Sequence, residues 1–263
     1  MGVFVDMLGR KVEIPHPPRR IISVVPSQTE LLFDLGLNET VVGITKFCIH
    51  PNEWFRQKTR VGGTKNLSIE KIISLAPDLI IANKEENTKE QIEQLAESFP
   101  VWISDIKKLD DALIMIERIS EIVDQTQMGI KISAEIRASF NELKLNNASK
   151  KVAYFIWHNP KMSIGNDTFI NDMIERIGWV NVISHKERYP IVSDEELCAA
   201  KPDIVLLSSE PFPFKDRHIL EYQALLPEAE IILVDGELFS WYGSRLLQSV
   251  QYFQILKQKV ELS

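Results

Sequence analysis

Residues 68–83 read SIEKIISLAPDLIIAN, and a related stretch, SDEELCAAKPDIVLLS, spans residues 193–208. Each stretch predicts a serine cap, an acidic first helical turn, a short helix, a Pro-Asp turn and a buried strand. Four identities share one spacing: Ser68 with Ser193, Glu70 with Glu195, Pro77 with Pro202, and Asp78 with Asp203. Local preferences for Ser, Glu and Pro at helix ends explain part of this match. The single shared register favours an internal duplication.

Strands and helices alternate on both sides of each stretch. The predicted strands span residues 21–25, 40–44, 79–82 and 101–103 in the first half, and 152–157, 204–207 and 231–234 in the second. A hairpin over residues 3–14 precedes them. Short apolar strands separated by helices are typical of α/β proteins, whose parallel sheets are covered by helices on both faces.

A long helix is predicted over residues 125–147, QTQMGIKISAEIRASFNELKLNN, where the two halves meet. Its apolar stripe consists of Met128, Ile132, Ile136, Phe140 and Leu143. Gly129 weakens the helix near its start. An ordinary surface helix on a single core is one interpretation. The other is a chain of two Rossmann-like lobes, residues 1–124 and 148–263, joined by this one helix, with a ligand cleft between them.

Composition and charge narrow the classes of protein and of binding partner that fit this sequence. Of the 263 residues, 44% are hydrophobic and 25% are charged, which is typical of a globular protein with a substantial core. The net charge of −7 disfavours nucleic acid or an anionic membrane as the main partner. Cys48 and Cys198 are too few for a disulfide framework.

The sequence contains no apolar run near about eighteen residues, so we expect no membrane span. The first fifteen residues, MGVFVDMLGRKVEIP, lack the basic start and apolar centre of a signal peptide. Either the protein is cytoplasmic, or a signal peptide or lipoprotein anchor lies outside this sequence.

Ligands of open parallel sheets bind at the carboxyl ends of the strands. The loops that follow the predicted strands are therefore candidate sites, among them Ser27-Gln28, residues 47–50 and residues 83–84. Catalytic patterns such as GxSxG, HExxH, the Walker loop and GxGxxG are absent from the sequence. An enzyme therefore has no supporting motif and is the less supported alternative.

Four segments together resemble the helical-backbone (class III) substrate-binding proteins of ABC importers, most closely their cobalamin-binding branch. They are RIISVVPSQTELLFDLGLNETVVGIT (20–45), KFCIHP (46–51), VGGTKNLSIEKIISLAPDLIIAN (61–83) and SDEELCAAKPDIV (193–205). The resemblance covers nearly the whole chain. It implies a monomer of the periplasm or cell envelope, which captures a metal chelate and delivers it to a membrane permease.

The identity of the chelate stays open in the sequence. Cobalamin or a related corrinoid is the expected ligand, bound as cargo and not as a catalytic cofactor. A siderophore or haem binder of the same fold, and a cytoplasmic corrinoid carrier or sensor, are the alternatives.

Candidate ligand residues follow from the strand-end loops and from the resemblance. They are Ser27, Gln28, Phe47, His50, Thr64, Asn83, Trp157, Met162, Tyr189, Glu237 and Trp241. The aromatic members would stack on or wall a flat macrocycle, and the polar ones would meet its amide rim. Thr64 and Asn83 stand where the cobalamin branch has tryptophans, which leaves another corrinoid or chelate open. For Trp157 and Trp241, packing in the core is the competing interpretation.

The resemblance also implies that Glu70 and Glu195 dock onto arginines of the permease. Both lie in the first turn of a predicted helix, where the helix dipole favours a carboxylate, so a merely solvated charge is the competing interpretation. Cys48 and His50 have no third metal ligand at a suitable spacing, so no protein-held metal site is expected. An axial imidazole from His50 or His158 to a chelated metal, and a structural loop histidine, are both open.

Overall fold

The computed structural model describes residues 1–143 and 149–262. Contacts between Cα atoms divide the chain into two compact units. Unit 1 comprises Met1–Ile106, Asp110–Arg137 and Tyr242–Leu246, and unit 2 comprises Lys107–Leu109, Ala138–Trp241 and Leu247–Ser263. The predicted domain boundaries at residues 124 and 148 remain a prediction. Residues 144–147 of the predicted long helix lie outside the described residues.

The chain up to residue 143 contains the parallel sheet of unit 1. Its elements are β1 Gly2–Val5, β2 Lys11–Ile14, β3 Ile21–Ser23, α1 Pro26–Asp34, β4 Val41–Ile44, α2 Asn52–Gln57, β5 Thr59–Arg60, β6 Gly62–Gly63, β7 Asn66–Leu67, α3 Ile69–Ser74, β8 Leu79–Asn83, α4 Lys89–Ala96, β9 Val101–Ser104, α5 Leu109–Ile122 and α6 Thr126–Asn141. The sheet has the strand order β5-β4-β3-β8-β9, and all its pairs are parallel. Every residue of β8 is buried, as expected for a strand covered on both faces.

The chain from residue 149 contains a second sheet, in unit 2. Its elements are β10 Lys151–Trp157, β11 Met162–Ser163, α7 Phe169–Ile177, β12 Val180–Asn181, α8 Asp194–Ala200, β13 Ile204–Ser208, α9 Asp216–Leu225, β14 Glu230–Val234, α10 Glu237–Ser240 and α11 Leu246–Leu262. The strand order is β11-β10-β13-β14, with β12 also paired to β10. Only β11 pairs antiparallel among the described strands of this sheet. The predicted α/β class with parallel central sheets is therefore confirmed.

The two related sequence stretches adopt the same local structure. In the first, α3 leads through Pro77 into β8, and in the second, α8 leads through Pro202 into β13. The residue before each proline, Ala76 or Lys201, has a left-handed backbone with φ of 43° or 45°. The repeat therefore extends to backbone geometry, including a conformation that non-glycine residues rarely adopt.

The repeated aspartates hold the start of a neighbouring central strand. The Asp78 carboxylate accepts hydrogen bonds from the backbone N–H groups of Arg19 and Arg20, each at 2.8 Å, just before β3. The Asp203 carboxylate accepts one from the N–H of Lys151, the first residue of β10, at 2.7 Å. Each Pro-Asp turn thus fixes the register of two adjacent parallel strands.

The repeated serines differ in one detail. Ser68 and Ser193 both occupy the N-cap position, as predicted. The Ser193 hydroxyl accepts a hydrogen bond from the Glu196 N–H at 3.2 Å, whereas the Ser68 side chain makes no capping bond. The serine cap is therefore complete only in the second copy.

Helix α6 buries a stripe that is shifted from the predicted one. Ile132, Ile136 and Phe140 are buried, as predicted, and so is Leu143 beyond the helix, but Met128 is 43% exposed. Gly129 is buried in its place. Successive steps of four residues drift by about 40° around a helix, so a stripe of fours leaves the buried face within a few turns.

Gly129 lies where α6 crosses α5 closely. A Cβ atom placed on Gly129 would lie 2.0 Å from Oγ and 2.3 Å from Cβ of Ser120 in α5. Since no side chain fits there, the glycine that weakens the isolated helix is required by its packing.

Gly129→Ala is expected to destabilise the protein by about 1–3 kcal/mol through overpacking. Helix propensity alone predicts the opposite sign, a gain of about 1 kcal/mol. Urea unfolding would distinguish the two. Adding Ser120→Gly should make the pair less destabilising than the sum of the single changes. A stabilised Gly129→Ala variant would show that the helices separate without cost.

Candidate functional site

Polar side chains lie at the carboxyl edge of the sheet in unit 1. Asn83 ends β8 and Ser104 ends β9, and both are buried. The Asn83 Nδ2 group donates to Oγ of Ser104 at 3.0 Å, while its Oδ1 atom accepts the backbone N–H groups of Glu85 and Glu86 at 2.8 and 3.0 Å. Both ends of the Asn83 carboxamide are thus bound within the unit, and its contact with a ligand remains a prediction.

Ser27 and Gln28 lie in the first turn of α1, next to this edge. Helix α1 begins at Pro26, because proline suits a first helical turn, and Val25 is its N-cap. The exposed fractions of Ser27 and Gln28 are 2% and 0%. Gln28 donates from Nε2 to Oγ of Ser104. Among the described residues, neither Oγ of Ser27 nor Oε1 of Gln28 has a hydrogen-bond partner.

Phe47 presents an aromatic surface in unit 1. Its side chain is 51% exposed, and Nζ of Lys46 lies 5.0 Å from the ring centroid. A Cβ atom on Gly63 would come within 3.2 Å of the ring, so the glycine leaves room for Phe47. Thr64, which follows Gly63, is half-buried. The ring of Phe47 is therefore accessible from solvent, and its role as a wall of the ligand site remains a prediction.

The segment Tyr242–Leu246 brings distant residues into unit 1. Arg245 forms a two-pronged ion pair with Glu30 of α1, with both N···O distances at 2.8 Å. The Tyr242 hydroxyl donates to Glu86 at 2.9 Å. Burial raises the pKa of Glu30, although Arg245 and the nearby His50 oppose that shift. Sequence reasoning missed these pairs because no local spacing joins residues so far apart.

Cys48 is a buried structural thiol. Its sulfur lies 3.1 Å from the hydroxyls of Thr29 and Thr45, and burial raises the pKa of Cys48 to about 11. The thiolate that binds metals is therefore disfavoured. Across residues 1–143 and 149–262, no group of three or more His, Cys, Asp or Glu side chains is placed to hold a metal ion.

Trp157 forms an aromatic surface in unit 2, at the carboxyl end of β10. It is 39% exposed, its ring packs edge-on against Phe212 at 5.6 Å, and its Nε1 donates to the Asn159 carbonyl at 3.2 Å. Half-buried Met162 is its partner on β11. Trp157 is thus not a core residue. Half-buried Tyr189 adds a second ring, under the guanidinium of its neighbour Arg188 at 5.6 Å.

Trp241, in contrast, is 7% exposed and is held by a carboxylate that sequence reasoning missed. Its Nε1 donates to Oε1 of Glu210 at 3.0 Å, and the Ser240 hydroxyl donates to the same oxygen at 2.8 Å. Burial raises the pKa of Glu210, and the charges of Glu237 and Asp235 add to this shift. Glu210 lies two residues after the end of β13, in a strand-end loop of the kind that the sequence rule singles out.

His158 makes structural contacts in unit 2. Its Nε2 lies 3.2 Å from Oε2 of Glu221, and its ring centroid lies 4.7 Å from that of His218 and 5.6 Å from that of Phe212. Nε2 is thus paired with Glu221, and the other ring nitrogen, Nδ1, is buried without a hydrogen-bond partner in the described residues, so neither nitrogen is exposed to a chelated metal as the side chain stands. The contacts therefore favour the structural interpretation of His158.

Glu70 and Glu195 occupy equivalent positions on their helices. Each is the second residue of its helix, two positions after the N-cap serine, and each is exposed. Hydrogen bonds from its own backbone N–H and from the Ser193 hydroxyl lower the pKa of Glu195. The side chain is therefore a surface anion at neutral pH.

The periplasmic binding protein family model matches residues 21–224, more than half of the chain. The chain belongs to this family. The family consists of solute-binding proteins, so the protein is a binder and not an enzyme. Within the described residues, no helix has the length and apolar character needed to cross a membrane.

Two relatives illustrate the sequence similarity. The vitamin B12-binding protein of Vibrio campbellii is 28% identical over 197 residues, which cover 73% of this chain and 71% of the relative. An uncharacterised ABC transporter substrate-binding lipoprotein of Bacillus subtilis is 25% identical over 259 residues, covering 94% and 82%.

Two solved structures share the fold. The periplasmic vitamin B12-binding protein of Vibrio cholerae superposes with a TM-score of 0.81 at 23% identity, covering 94% of this chain and 99% of that one. The periplasmic haem-binding protein of the same organism gives a TM-score of 0.79 at 24% identity, covering 90% and 98%. At these identities the structures show a common fold, which binders of different chelates share.

Glu210→Gln is expected to gain stability relative to the wild type as the pH rises. A carboxyl whose pKa in the folded state lies above its ordinary value of 4.5 costs stability once the pH passes that value, because the native state must then hold a disfavoured charge. Melting temperatures measured from pH 4 to pH 7 would show the difference growing with pH. Exposed Glu228→Gln is the control and should show no such trend. A constant difference for Glu210→Gln would contradict the prediction.

Proposed function

We propose that this protein is the substrate-binding protein of an ABC importer, that it captures a corrinoid such as cobalamin, and that it delivers the corrinoid to a membrane permease. The observation that carries the proposal is the similarity to vitamin B12-binding proteins over more than two thirds of both chains, within a family of solute binders. The corrinoid is the cargo and takes no part in catalysis.

The exposed aromatic rings support a flat ligand. Phe47 in unit 1 and Trp157 in unit 2 are large apolar side chains left exposed at the carboxyl edges of their sheets. Exposed apolar surface at such an edge is typical of binding sites, and aromatic rings stack well on a macrocycle. Met162 and Tyr189 would extend this surface in unit 2, and Glu237 of α10 would supply a polar contact.

The cargo is a corrinoid in this proposal and not haem. The haem-binding structure is 24% identical to this chain, and at that identity the similarity shows only a common fold. The vitamin B12-binding relative, in contrast, matches in sequence, with 28% identity over 197 residues. Thr64 and Asn83 offer less aromatic area than tryptophans would, so a corrinoid with a smaller or absent lower ligand is included in the proposal.

The partner in this proposal is the permease of the importer. Glu70 and Glu195 would contact its arginines, since each is an exposed carboxylate on the first turn of a short helix and each occupies the same place in the repeat. The family and the lipoprotein relative support a place of action in the periplasm or on the cell envelope.

Incubation with cyanocobalamin, cobinamide, haem or ferric siderophores, followed by gel filtration, tests the ligand. We expect the corrinoids alone to be retained, as a visible chromophore with one equivalent per chain. Trp157→Ala should weaken corrinoid binding about 10- to 100-fold, because it removes a buried stacking surface from the complex. Leu220→Ala is the control, because Leu220 is 73% exposed in the same unit but lies outside the candidate site. Retention of haem alone would show that the cargo is haem and not a corrinoid.

The double variant Glu70→Arg, Glu195→Arg tests the docking. It should abolish stimulation of the cognate transporter's ATPase and leave corrinoid binding unchanged, because arginine would face arginine on the permease. The matched control is Glu90→Arg with Asp216→Arg, which reverses exposed first-turn acids of α4 and α9. Equal stimulation by wild type and the Glu70/Glu195 variant would refute the docking role.

A further inference from the structure

The loop after β13 places the ring of Phe212 against Trp157. This loop reads PFPF over residues 211–214. Phe214 is buried, whereas Phe212 is half-buried and its ring centroid lies 5.6 Å from that of Trp157, with the two planes inclined at 61°. The proposed function uses Trp157 as a stacking surface and assigns no role to Phe212.

The backbone of Phe212 is restrained on both sides. It lies between Pro211 and Pro213, and a proline both fixes its own φ angle and restricts the residue before it. The Phe212 N–H donates to the carbonyl of Ile156, the residue before Trp157, at 3.3 Å. The main chain of the loop is therefore tied to the carboxyl end of β10, beside the backbone of Trp157.

The ring of Phe212 is packed from behind. Its centroid lies 4.9 Å from that of Phe214, 5.3 Å from that of His218 and 5.6 Å from that of His158. Phe214 and His218 are 6% and 1% exposed, so they belong to the interior of unit 2. Because these rings occupy the space behind Phe212, its ring has little room to withdraw from Trp157.

Trp157 itself has few other restraints. It is 39% exposed, and the other four tryptophans of the chain are at most 7% exposed. Its Nε1 donates to the Asn159 carbonyl at 3.2 Å, and Phe212 is the one ring in the described part of the chain that packs against it. An exposed side chain that a ligand must immobilise loses rotamer entropy on binding, and a side chain held in place beforehand loses less. Contact with Phe212 thus restricts the indole before a ligand arrives.

We infer that Phe212 is a positioning residue, which holds the indole of Trp157 ready to stack on the ligand and raises affinity through Trp157, without contacting the ligand itself. This inference rests on the proposed function. It adds a residue that neither the strand-end loops nor the family resemblance singled out.

Fluorine NMR of protein labelled with 5-fluorotryptophan tests the positioning without a ligand. The Trp157 resonance is identified as the one that Trp157→Phe removes. In Phe212→Leu this resonance should narrow and move toward that of free 5-fluorotryptophan, because the indole has lost its neighbouring ring. An unchanged resonance would overturn the inference, whatever the protein binds.

Tyr222→Leu is the matched control for lost packing. Tyr222 is a buried ring of the same cluster, in contact with His158 and Phe214, but it contacts neither Trp157 nor Phe212 among the described ring pairs. This variant should lower the melting temperature and leave the Trp157 resonance in place. A resonance that moves as far as in Phe212→Leu would show that it follows stability, and would overturn the inference.

A double-mutant cycle with Trp157 tests the effect on affinity. Calorimetric titration with cyanocobalamin should show Phe212→Leu binding about 3- to 10-fold more weakly than wild type, the range expected for one aromatic pair. Phe212→Tyr keeps the ring and should bind within about twofold of wild type. In the Trp157→Ala background, Phe212→Leu should cause no further loss, because the residue through which it acts is gone.

A loss of affinity that persists in the Trp157→Ala background would show direct contact of Phe212 with the ligand and would overturn the positioning role. Equal affinity of Phe212→Leu and wild type would overturn it as well. A wild-type protein that binds no corrinoid would instead refute the proposed function, and the fluorine spectra would still decide whether Phe212 holds Trp157.

Discussion

The carboxylates of Asp78 and Asp203 set the register on which both units depend. Asp78 accepts backbone N–H groups at the start of β3 and directly precedes β8, which pairs with β3. Asp203 accepts one at the start of β10 and directly precedes β13, which pairs with β10. Charge-assisted bonds of this kind are short and directional. Because the strands start in register and run parallel, their carboxyl ends meet at one edge in each unit, which is the edge where open α/β sheets typically bind ligands.

The two edges differ in the way they could meet a ligand. In unit 1 the edge is a buried polar network, in which Asn83 and Ser104 bond each other and Gln28 is held by one end only. In unit 2 the edge carries the exposed ring of Trp157. Trp241 is held in place there because its indole N–H donates to the carboxylate of Glu210. A network of this kind gives polar selectivity, whereas an exposed ring gives apolar contact area.

The same repeated module that sets the register also places the surface glutamates. Ser68 or Ser193 begins the helix, the glutamate lies in its first turn, and the Pro-Asp turn anchors the helix end to the sheet. Glu70 and Glu195 therefore have equivalent settings within their own units.

The sequence by itself determined the α/β class, the central strands, the repeated motif and the strand-end loops, because these follow from apolar runs, caps and turns that act over a few residues. Through the resemblance to a known family it also singled out Phe47 and Trp157, whose rings the structure leaves exposed and whose contact with a ligand stays a prediction. Helices α2, α9 and α10 went unpredicted, since their local signals are weak. Met128 was wrongly placed in the buried stripe, because uniform steps of four ignore the 3.6-residue period.

Only the tertiary structure decided the pairings between distant residues. The bond of Arg245 to Glu30, the bond of Trp241 to Glu210 and the unused oxygen of Gln28 all depend on segments that the fold brings together. The role of Gly129 belongs here as well: its cost to an isolated helix is visible in the sequence, whereas the close approach of Ser120 is not. Hydrogen bonds and packing depend on positions in space, which local spacing does not encode.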